Sequence, residues 1–166
     1  MIRALDTAAL AQEPGLADSL LGLNNLHAVE LSLLDAAGLE RLVGEAFVAR
    51  RVGLADAMLI TFDQDADYDS PNFLWFRDRY ERFVYVDRVV TAAATRGRGL
   101  AGALYRELVE QARAAGHNLI VCEVNADPPN PASEAFHRRF GFEPVGEALL
   151  PNAKTVTYLA FRIEER

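Results

Sequence analysis

Apolar residues show two different spacings along this chain, and together these spacings predict a mixed order of strands and helices. Apolar side chains that recur every three or four residues, as at Leu100, Leu104 and Leu108, are typical of a helix with one buried face. Short apolar runs between turn residues, such as residues 83–91, are typical of buried strands. The pattern therefore predicts an α/β or α+β fold.

These spacings divide the chain into alternating elements. Strands are predicted over residues 2–5, 46–51, 57–61, 83–91, 119–125, 145–150 and 155–163. Helices are predicted over residues 16–29, 36–43, 73–82, 100–115 and 132–140. Asp35 is the expected N-cap of the second helix, and Gly116 and Gly141 are expected to end the last two helices. Residues 63–72 are polar and rich in turn formers, which predicts a long loop.

Composition narrows the class of protein. A chain of 166 residues, of which 51% are apolar, predicts one domain over residues 1–166 with its own core. The formal net charge of −7 disfavours nucleic-acid binding. The chain has neither an apolar run long enough for a membrane span nor a signal-peptide pattern at its start, so a cytoplasmic location is expected. The single cysteine, Cys122, excludes an internal disulfide and is expected to be a small buried side chain rather than a nucleophile.

The turn between the fourth predicted strand and the following helix carries the strongest chemical signal. It reads Thr95-Arg96-Gly97-Arg98-Gly99-Leu100-Ala101. Its glycines let the backbone approach a ligand closely, and the first turn of the helix offers unpaired N–H groups at the positive end of its dipole. With two arginines added, this arrangement suits a pyrophosphate.

Two common nucleotide motifs compete for the same turn. The chain has no Gly-x-x-x-x-Gly-Lys-Ser/Thr sequence, so a P-loop is not expected. Gly97, Gly99 and Gly102 form a Gly-x-Gly-x-x-Gly pattern, and Glu123 lies in the next strand, as a dinucleotide-binding domain requires. The short stretch of chain that follows leaves little room for several βαβ units.

The motif resembles a different family. Residues 96–101 are similar to the Arg/Gln-x-x-Gly-x-Gly/Ala motif of the GNAT superfamily of N-acetyltransferases, which holds the pyrophosphate of acetyl-CoA. Residues 130–142 resemble the family's second segment, Asn-x-x-Ala/Ser-x-x-x-Tyr ending in Gly-Phe. Two ordered motifs are more specific than one. The resemblance implies a central mixed, mostly antiparallel twisted sheet flanked by helices, with two splayed strands that form the CoA cleft.

The resemblance also implies where acetyl-CoA is bound. In the family, the strand before the turn supplies backbone groups to the pantetheine and the thioester, and Asn125 is placed to reach into the gap beside it; a plain strand-ending role is the alternative for Asn125. The implied acetyl-CoA contacts are Val89, Val90, Thr91, Arg96, Gly97, Arg98, Gly99, Leu100, Ala101, Asn125, Asn130, Ser133 and His137.

Direct acetyl transfer needs an acid for the leaving thiolate. His137 stands where the family usually has a tyrosine, and we predict that it is the general acid; packing against the CoA arm is the alternative, and Tyr85 or Tyr105 are other proton donors. The acid role of His137 therefore departs from the family pattern.

The transfer also needs a base for the amine. The candidates are Glu30, Asp87 and Glu123, of which we predict Glu30 and Asp87 to be catalytic and to share one cleft. Strand alternation predicts Tyr85, Asp87 and Val89 on one face, and Arg88 on the other, so that Asp87 and Arg88 do not pair.

Polar residues in the first half of the chain are candidates for the acceptor site. The predicted acceptor contacts are Asn25, His27, Glu30, Asn72 and Tyr85. A solvated helix face is the alternative for the first three. Residues 69–76, with the only tryptophan, are expected to form a pocket lip or to fold back on the core. No metal site is predicted, because His27 and Glu30 alone supply too few ligands.

These observations predict an N-acetyltransferase that moves an acetyl group from acetyl-CoA to a primary amine of a small molecule or peptide in a ternary complex. A non-catalytic acyl-CoA-binding sensor of the same fold is the alternative. The expected partners are acetyl-CoA and the amine, without nucleic acid or membrane, and a homodimer through the terminal strand pair stays open.

Overall fold

Seven strands form a single sheet in the computed structural model, which describes residues 1–165. The strands are β1 (Ile2–Ala4), β2 (Val48–Val52), β3 (Ala57–Asp63), β4 (Val84–Thr91), β5 (Leu119–Asp127), β6 (Glu143–Leu149) and β7 (Thr155–Arg162). Their order across the sheet is β1-β2-β3-β4-β5-β7-β6. Each predicted strand is present, with ends that differ from the prediction by at most a few residues.

Six helices accompany the sheet. They are α1 (Thr7–Gln12), α2 (Leu16–Leu26), α3 (Ala36–Glu45), α4 (Pro71–Arg77), α5 (Leu100–Ala114) and α6 (Pro131–Phe140). α1 was not predicted, because six residues are too few to display a helical period. α4 begins earlier than predicted, since Pro71 suits the first turn of a helix.

Capping residues set the helix ends that the sequence predicted. The Asp35 side chain accepts a hydrogen bond of 2.7 Å from the Gly38 backbone N–H and starts α3. Gly141 ends α6 in the left-handed region, at a φ of 118°. Both of these predicted helix ends are confirmed.

The helices cover the two faces of the sheet and create two cores. The first core packs α2, α3 and α4 against one face, and its fully buried members include Leu16, Leu20, Phe73 and Phe76. The second core packs α5 and the end of α6 against the other face around Tyr105. Cys122 is buried in this second core, and burial raises the pKa of its thiol, consistent with the predicted packing role.

β4 and β5 diverge in the middle of the sheet. They are parallel and pair only at Val84↔Ile120 and Tyr85↔Val121, whereas the other neighbouring strands are antiparallel. Beyond these pairs β5 continues against β7 and β4 continues against β3, so a gap opens between them. The predicted mixed sheet with two splayed strands is confirmed.

A β-bulge in β4 changes which side chains share a face. Thr61 pairs with Val86 and Ile60 pairs with Arg88, so Asp87 has no partner on β3. A bulge places two consecutive residues opposite one and breaks the strict alternation of faces. Tyr85 and Val90 consequently pack in the first core, while Val89 packs against the second. The prediction that Asp87, Tyr85 and Val89 share one face and that Arg88 lies on the other was wrong.

Candidate active site

Three neighbouring cavities surround the gap between β4 and β5. The hairpin-side cavity, of about 560 Å³, is lined by residues of β4 and β5 and by residues from three further segments, 28–32, 68–72 and 150–154. The strand gap itself encloses about 90 Å³. The turn-side cavity, of about 450 Å³, lies next to Arg96 and Ala101. Glu30 and Leu31 line all three cavities, so the three adjoin one another; together they are called the passage.

Glu123 on β5 lies where the hairpin-side cavity meets the strand gap. The Tyr85 hydroxyl donates to both of its carboxylate oxygens, at 3.0 and 2.9 Å, and the Asn72 amide donates to Oε1 at 3.1 Å. Burial, together with the nearby negative charge of Asp87, raises the pKa of Glu123 to about 8, against the opposing effect of these hydrogen bonds. A carboxyl group with such a pKa can exchange a proton near neutrality.

Aromatic side chains hold the partners of Glu123 in place. The Tyr158 hydroxyl donates to Asn72 Oδ1 at 2.9 Å, which leaves the amide N–H of Asn72 directed at the carboxylate. The Tyr158 ring stacks on Trp75 with ring centroids 4.1 Å apart. The segment 69–76 thus combines its two predicted roles. Residues 69–72 line the cavity like a pocket lip, and Trp75 folds back on the core.

Asp87 faces the same two cavities as Glu123 but is already paired. Its carboxylate accepts hydrogen bonds from the Tyr68 hydroxyl at 2.7 Å and from Arg88 Nε at 2.9 Å. Burial raises the pKa of Asp87, and the adjacent Arg88 guanidinium opposes that shift. The ion pair contradicts the expectation that Asp87 and Arg88 do not neutralise each other, and the bulge is the reason.

Arg88 in turn connects this pair to the first helical layer. Its Nη1 donates to Asn24 Oδ1 at 2.8 Å, and its Nη2 donates to the Ser32 hydroxyl at 2.7 Å. The buried guanidinium thus ties the chain after α2 to β4 and shapes the wall of the hairpin-side cavity.

Glu30 is exposed and lines all three cavities, two of them together with Asp87. The structure therefore places the two predicted catalytic carboxylates around one passage. Glu123 is a further acid there; its pKa is raised and its hydrogen-bond donors Tyr85 and Asn72 are neutral, whereas Asp87 is paired with the Arg88 guanidinium. The catalytic roles of Glu30 and Asp87 stay predictions.

His137 is buried under the strand gap with both ring nitrogens engaged. Nδ1 lies 2.7 Å from the Ser133 carbonyl oxygen, which can only accept, so Nδ1 carries the proton. Nε2 then accepts from the Tyr105 hydroxyl, 2.7 Å away. Burial lowers the pKa of His137, which keeps the ring neutral. The general-acid role of His137 stays a prediction, and this geometry favours the packing alternative.

The turn before α5 has the conformation that its glycines permit. Gly97 and Gly99 have φ of 81° and 73°, in the left-handed region, and Gly99 is the N-cap of α5. No neighbouring atom lies within 4 Å of the position that a Cβ would take at either glycine. The backbone of this turn is therefore open to a ligand on its outer side.

Most of the predicted acetyl-CoA contacts converge on the passage. Those that line the strand gap or the turn-side cavity are Val89, Val90, Thr91, Arg96, Ala101, Asn125, Asn130, Ser133 and His137. The turn residues Gly97, Arg98 and Gly99 are exposed beside the cavity, and Leu100 packs against the second core. Asn130 also caps α6, with its side chain accepting from the Ser133 N–H at 3.4 Å.

The predicted acceptor contacts divide into two groups. Tyr85 and Asn72 line the hairpin-side cavity, and His27 lines the turn-side cavity. Asn25 lines none of the three, because both ends of its amide bond the backbone of Leu34, each at 3.0 Å. Asn25 therefore fixes the loop after α2.

Tyr68 and Lys154 were not predicted from the sequence. Both line the hairpin-side cavity, and each comes from a loop far along the chain from the other. No sequence motif marks either residue, because folding alone brings the two loops together.

Two further features, a metal cluster and a membrane-spanning helix, are absent from the described part of the chain. Within residues 1–165, no group of three or more His, Cys, Asp or Glu side chains is placed to hold a metal ion. No helix among these residues is long and apolar enough to cross a membrane.

Comparison with known proteins identifies the family. A sequence model of the acetyltransferase (GNAT) family matches residues 60–142 of the chain. The chain belongs to the GNAT family. The matched segment runs from β3 to the end of α6 and includes both diverging strands and the turn before α5. Family membership makes the protein an acyltransferase and sets aside the dinucleotide-binding alternative.

Solved structures of GNAT enzymes share its fold over the whole length. The ribosomal-protein-S18-alanine N-acetyltransferase of Escherichia coli is 16% identical, with a TM-score of 0.69 over 100% of this chain and 95% of the other. An aminoglycoside 6'-N-acetyltransferase complexed with coenzyme A is 15% identical, with a TM-score of 0.71 over 100% and 98% of the two chains. NAA60 of Arabidopsis thaliana in complex with acetyl-CoA is 15% identical, with a TM-score of 0.67 over 98% and 99%. No curated protein sequence matches the chain.

Proposed function

We propose that this GNAT protein transfers the acetyl group of acetyl-CoA directly to a primary amine of a cationic acceptor. The observation that carries the proposal is Glu123, a carboxyl group with a pKa of about 8 that lines both the hairpin-side cavity and the strand gap. Acetyl-CoA enters from the turn-side cavity and the amine from the hairpin-side cavity. The two substrates then meet in the strand gap.

The turn-side cavity has the chemistry of a CoA site. The first turn of α5 presents backbone N–H groups without helical partners, and Arg96 lines the cavity beside them. Two glycines in the left-handed region keep the backbone accessible to a pyrophosphate. Similar solved structures contain CoA or acetyl-CoA, which supports the same cofactor here.

The strand gap suits the pantetheine arm and the thioester. Beyond Tyr85, β4 has no residue of β5 as a ladder partner, so its backbone groups on that side are available to an amide-containing ligand. Val89 and Asn125 line the gap. An arm lying here brings its thioester towards Glu123.

The transfer needs the amine to lose protons and the thiolate to gain one. The acceptor ammonium gives a proton to the Glu123 carboxylate, directly or through water, and its nitrogen then attacks the thioester carbonyl carbon. The C–S bond breaks, the nitrogen loses its second proton, and the thiolate gains one to leave as free CoA. Tyr85 and Asn72 orient the carboxylate throughout.

Charge selects the acceptor class. The side chains of Glu30, Asp69, Asp87 and Glu123 line the hairpin-side cavity, and Arg88 and Lys154 are the cations among its lining residues. Acids exceed bases there, so a positively charged amine is attracted to the cavity. A small polyamine-like molecule and a peptide amino terminus both satisfy this chemistry.

Glu123→Gln tests the proposal with Glu143→Gln, an exposed position on β6, as the matched control. We expect Glu123→Gln to lower kcat on an amine panel by roughly 10²- to 10⁴-fold, the usual contribution of a general base. Acetyl-CoA affinity, measured by calorimetry, should stay within about 2-fold because Glu123 does not line the turn-side cavity, and sites without shared contacts act nearly independently. The control should behave like the wild type.

The pH profile gives the second readout. Because the base must be unprotonated, wild-type kcat/KM should rise with pH through the pKa of Glu123, about 8, and this limb should be altered in Glu123→Gln. Wild-type kcat in Glu123→Gln would contradict the assignment. Acetyl-CoA binding without turnover on any amine would favour the sensor alternative.

A further inference from the structure

Lys154 is the single lysine of this chain; the other side chains counted with it as basic are arginines. It lies in the turn between β6 and β7 and lines the hairpin-side cavity. Among the residues lining that cavity it carries the only side-chain primary amine within the described residues 1–165. The amine therefore stands in the cavity from which, in the proposed function, the acceptor approaches.

The turn holds Lys154 in a defined position. Ala153, the residue before it, has a φ of 67°, in the left-handed region that residues with a Cβ rarely adopt. Hydrogen bonds join the Lys154 N–H to Asn152 Oδ1 at 3.0 Å and the Leu150 N–H to the Lys154 carbonyl at 2.8 Å. Strained backbone of this kind is found where surrounding contacts fix a side chain for a purpose.

The ammonium group reaches across the mouth of the cavity. Lys154 Nζ donates a hydrogen bond to the carbonyl oxygen of Val29 and so bridges the β6–β7 turn to the loop after α2. The next residue, Glu30, lines all three cavities of the passage. The amine is thus bonded to the residue that precedes Glu30. It belongs to a flexible side chain that lines the same cavity as Glu123.

We propose that Lys154 is an intramolecular acceptor, acetylated by the active site of its own chain. The inference rests on the proposed function, which supplies acetyl-CoA and the base. Lys154 releases the Val29 carbonyl, loses a proton to Glu123, and its nitrogen attacks the thioester carbonyl carbon. The C–S bond breaks, and the products are Nζ-acetyl-lysine, free CoA and one proton.

Acetylation changes the cavity that it occurs in. It removes the positive charge of Lys154 and leaves one N–H in place of three donors, so the bridge to Val29 weakens. The remaining side chains of the cavity then carry a more negative total charge. The modified enzyme is accordingly expected to show a changed KM for cationic acceptors.

Trypsin reports the modification directly because the chain has one lysine. Purified protein is incubated with acetyl-CoA and without any added amine, then digested and analysed by mass spectrometry. Unmodified protein is cut after Lys154, giving peptides 140–154 and 155–162. Acetylated protein resists that cut and gives peptide 140–162 with the added mass of one acetyl group. Peptide mapping also separates Lys154 from any reaction at the amino terminus.

We expect the acetylated fraction of the peptide to rise with a first-order rate constant that does not change with protein concentration, as a reaction within one molecule requires. Glu123→Gln should slow it at least about 10-fold, since the base is lost. Lys154→Arg should accept no acetyl group in this region, because a guanidinium does not deprotonate at neutral pH.

Three results would overturn the inference: an unmodified Lys154, an equal rate constant in Glu123→Gln, or an apparent first-order rate constant that rises in proportion to protein concentration. An amine panel assayed in parallel separates the two proposals. Turnover of external amines with an unmodified Lys154 would reject self-acetylation and leave the proposed function standing. No consumption of acetyl-CoA with any amine or with Lys154 would reject both.

Discussion

Glu123 is a charged residue in surroundings that oppose its charge. It lies between a buried tyrosine and an amide, with the Asp87 carboxylate nearby, and its pKa is raised to about 8. Asp87 shares the cavity but has a guanidinium partner. Environment therefore distinguishes the two carboxylates: Asp87 is a structural ion-pair partner, and Glu123 is free to exchange protons.

The raised pKa of Glu123 predicts a pH-dependent stability difference. A carboxyl group that binds its proton more tightly in the folded state than in the unfolded state destabilises the fold as pH rises towards its folded pKa. Glu123→Gln removes this effect, so its stability advantage over the wild type should grow by about 1–2 kcal/mol between about pH 6 and pH 8. Urea unfolding at several pH values measures it. A difference that stays constant with pH would show that Glu123 is ionised normally.

The hydrogen bond between His137 and Tyr105 predicts that Tyr105→Phe destabilises the fold, whereas Glu123→Gln is expected to stabilise it. Tyr105→Phe removes the hydroxyl that donates to His137 Nε2 and leaves a buried acceptor unpaired. This should cost about 1–3 kcal/mol in unfolding free energy while acetyl-CoA turnover per folded molecule changes little. Denaturation and kinetics on the same preparation test it. Loss of kcat without loss of stability would instead point to a proton path through Tyr105 and His137.

At the scale of elements, the bulge in β4 decides the geometry of the site. It brings Asp87 and Arg88 together, and Arg88 then anchors the loop after α2 through Asn24 and Ser32. Without the extra residue, strict alternation would send Arg88 to the opposite face. One inserted residue thus closes the wall of the hairpin-side cavity.

The sequence predicted the elements better than it predicted their junctions. Apolar periodicity located the strands and five of the six helices, because these elements bury continuous faces. The bulge in β4 was not predicted, since nothing in the residues around Asp87 marks a break in the alternation of faces. Asn25 was assigned to the acceptor site, but it bonds Leu34. Glu123 could not be preferred over Glu30, because its tyrosine and amide partners come from other elements.

The N-terminus of α5 provides a test with an internal control. Gly99 and Gly15 are both helix N-caps in the left-handed region, with φ of 73° and 75°, and a Cβ at either would meet no atom within 4 Å. Alanine at either position should therefore lower the free energy of unfolding by a similar amount, about 1–2 kcal/mol. Gly99→Ala alone should weaken acetyl-CoA binding, by roughly 10-fold, because only its backbone lies at the proposed pyrophosphate site.

Calorimetry on both variants decides the question. If folded Gly99→Ala and Gly15→Ala both bind acetyl-CoA with wild-type affinity, the turn is not part of the binding site. Equal losses of affinity would show that general destabilisation, rather than a local contact, is being measured.

At the scale of the whole molecule, the sheet separates the sites of the two substrates in the proposed function, which carry opposite charges. The chain carries a net charge of −7, yet the turn before α5 presents Arg96 and Arg98 on the side where acetyl-CoA is proposed to bind. The acidic hairpin-side cavity faces the other way along the passage. The divergence of β4 and β5 therefore separates a locally basic entrance from an acidic one within a single fold.

This separation predicts how salt acts on acceptor selection. Long-range attraction between the acidic protein and a cationic acceptor is screened as ionic strength rises, and the Debye length falls from about 10 Å at 0.1 M to about 3 Å at 1 M. At saturating acetyl-CoA, kcat/KM for a linear triamine should fall more steeply with salt than kcat/KM for a monoamine of similar length, because more charges are attracted. Steady-state kinetics at several salt concentrations, with kcat followed separately, measures the two slopes.

Two variants test whether the cavity causes the difference. Asp69→Asn, an exposed position on the cavity wall, should make the dependence of the triamine kcat/KM on salt less steep, whereas Glu143→Gln, outside the cavity, should change it less. Equal slopes for the triamine and the monoamine would show that the negative cavity does not select its acceptor by charge.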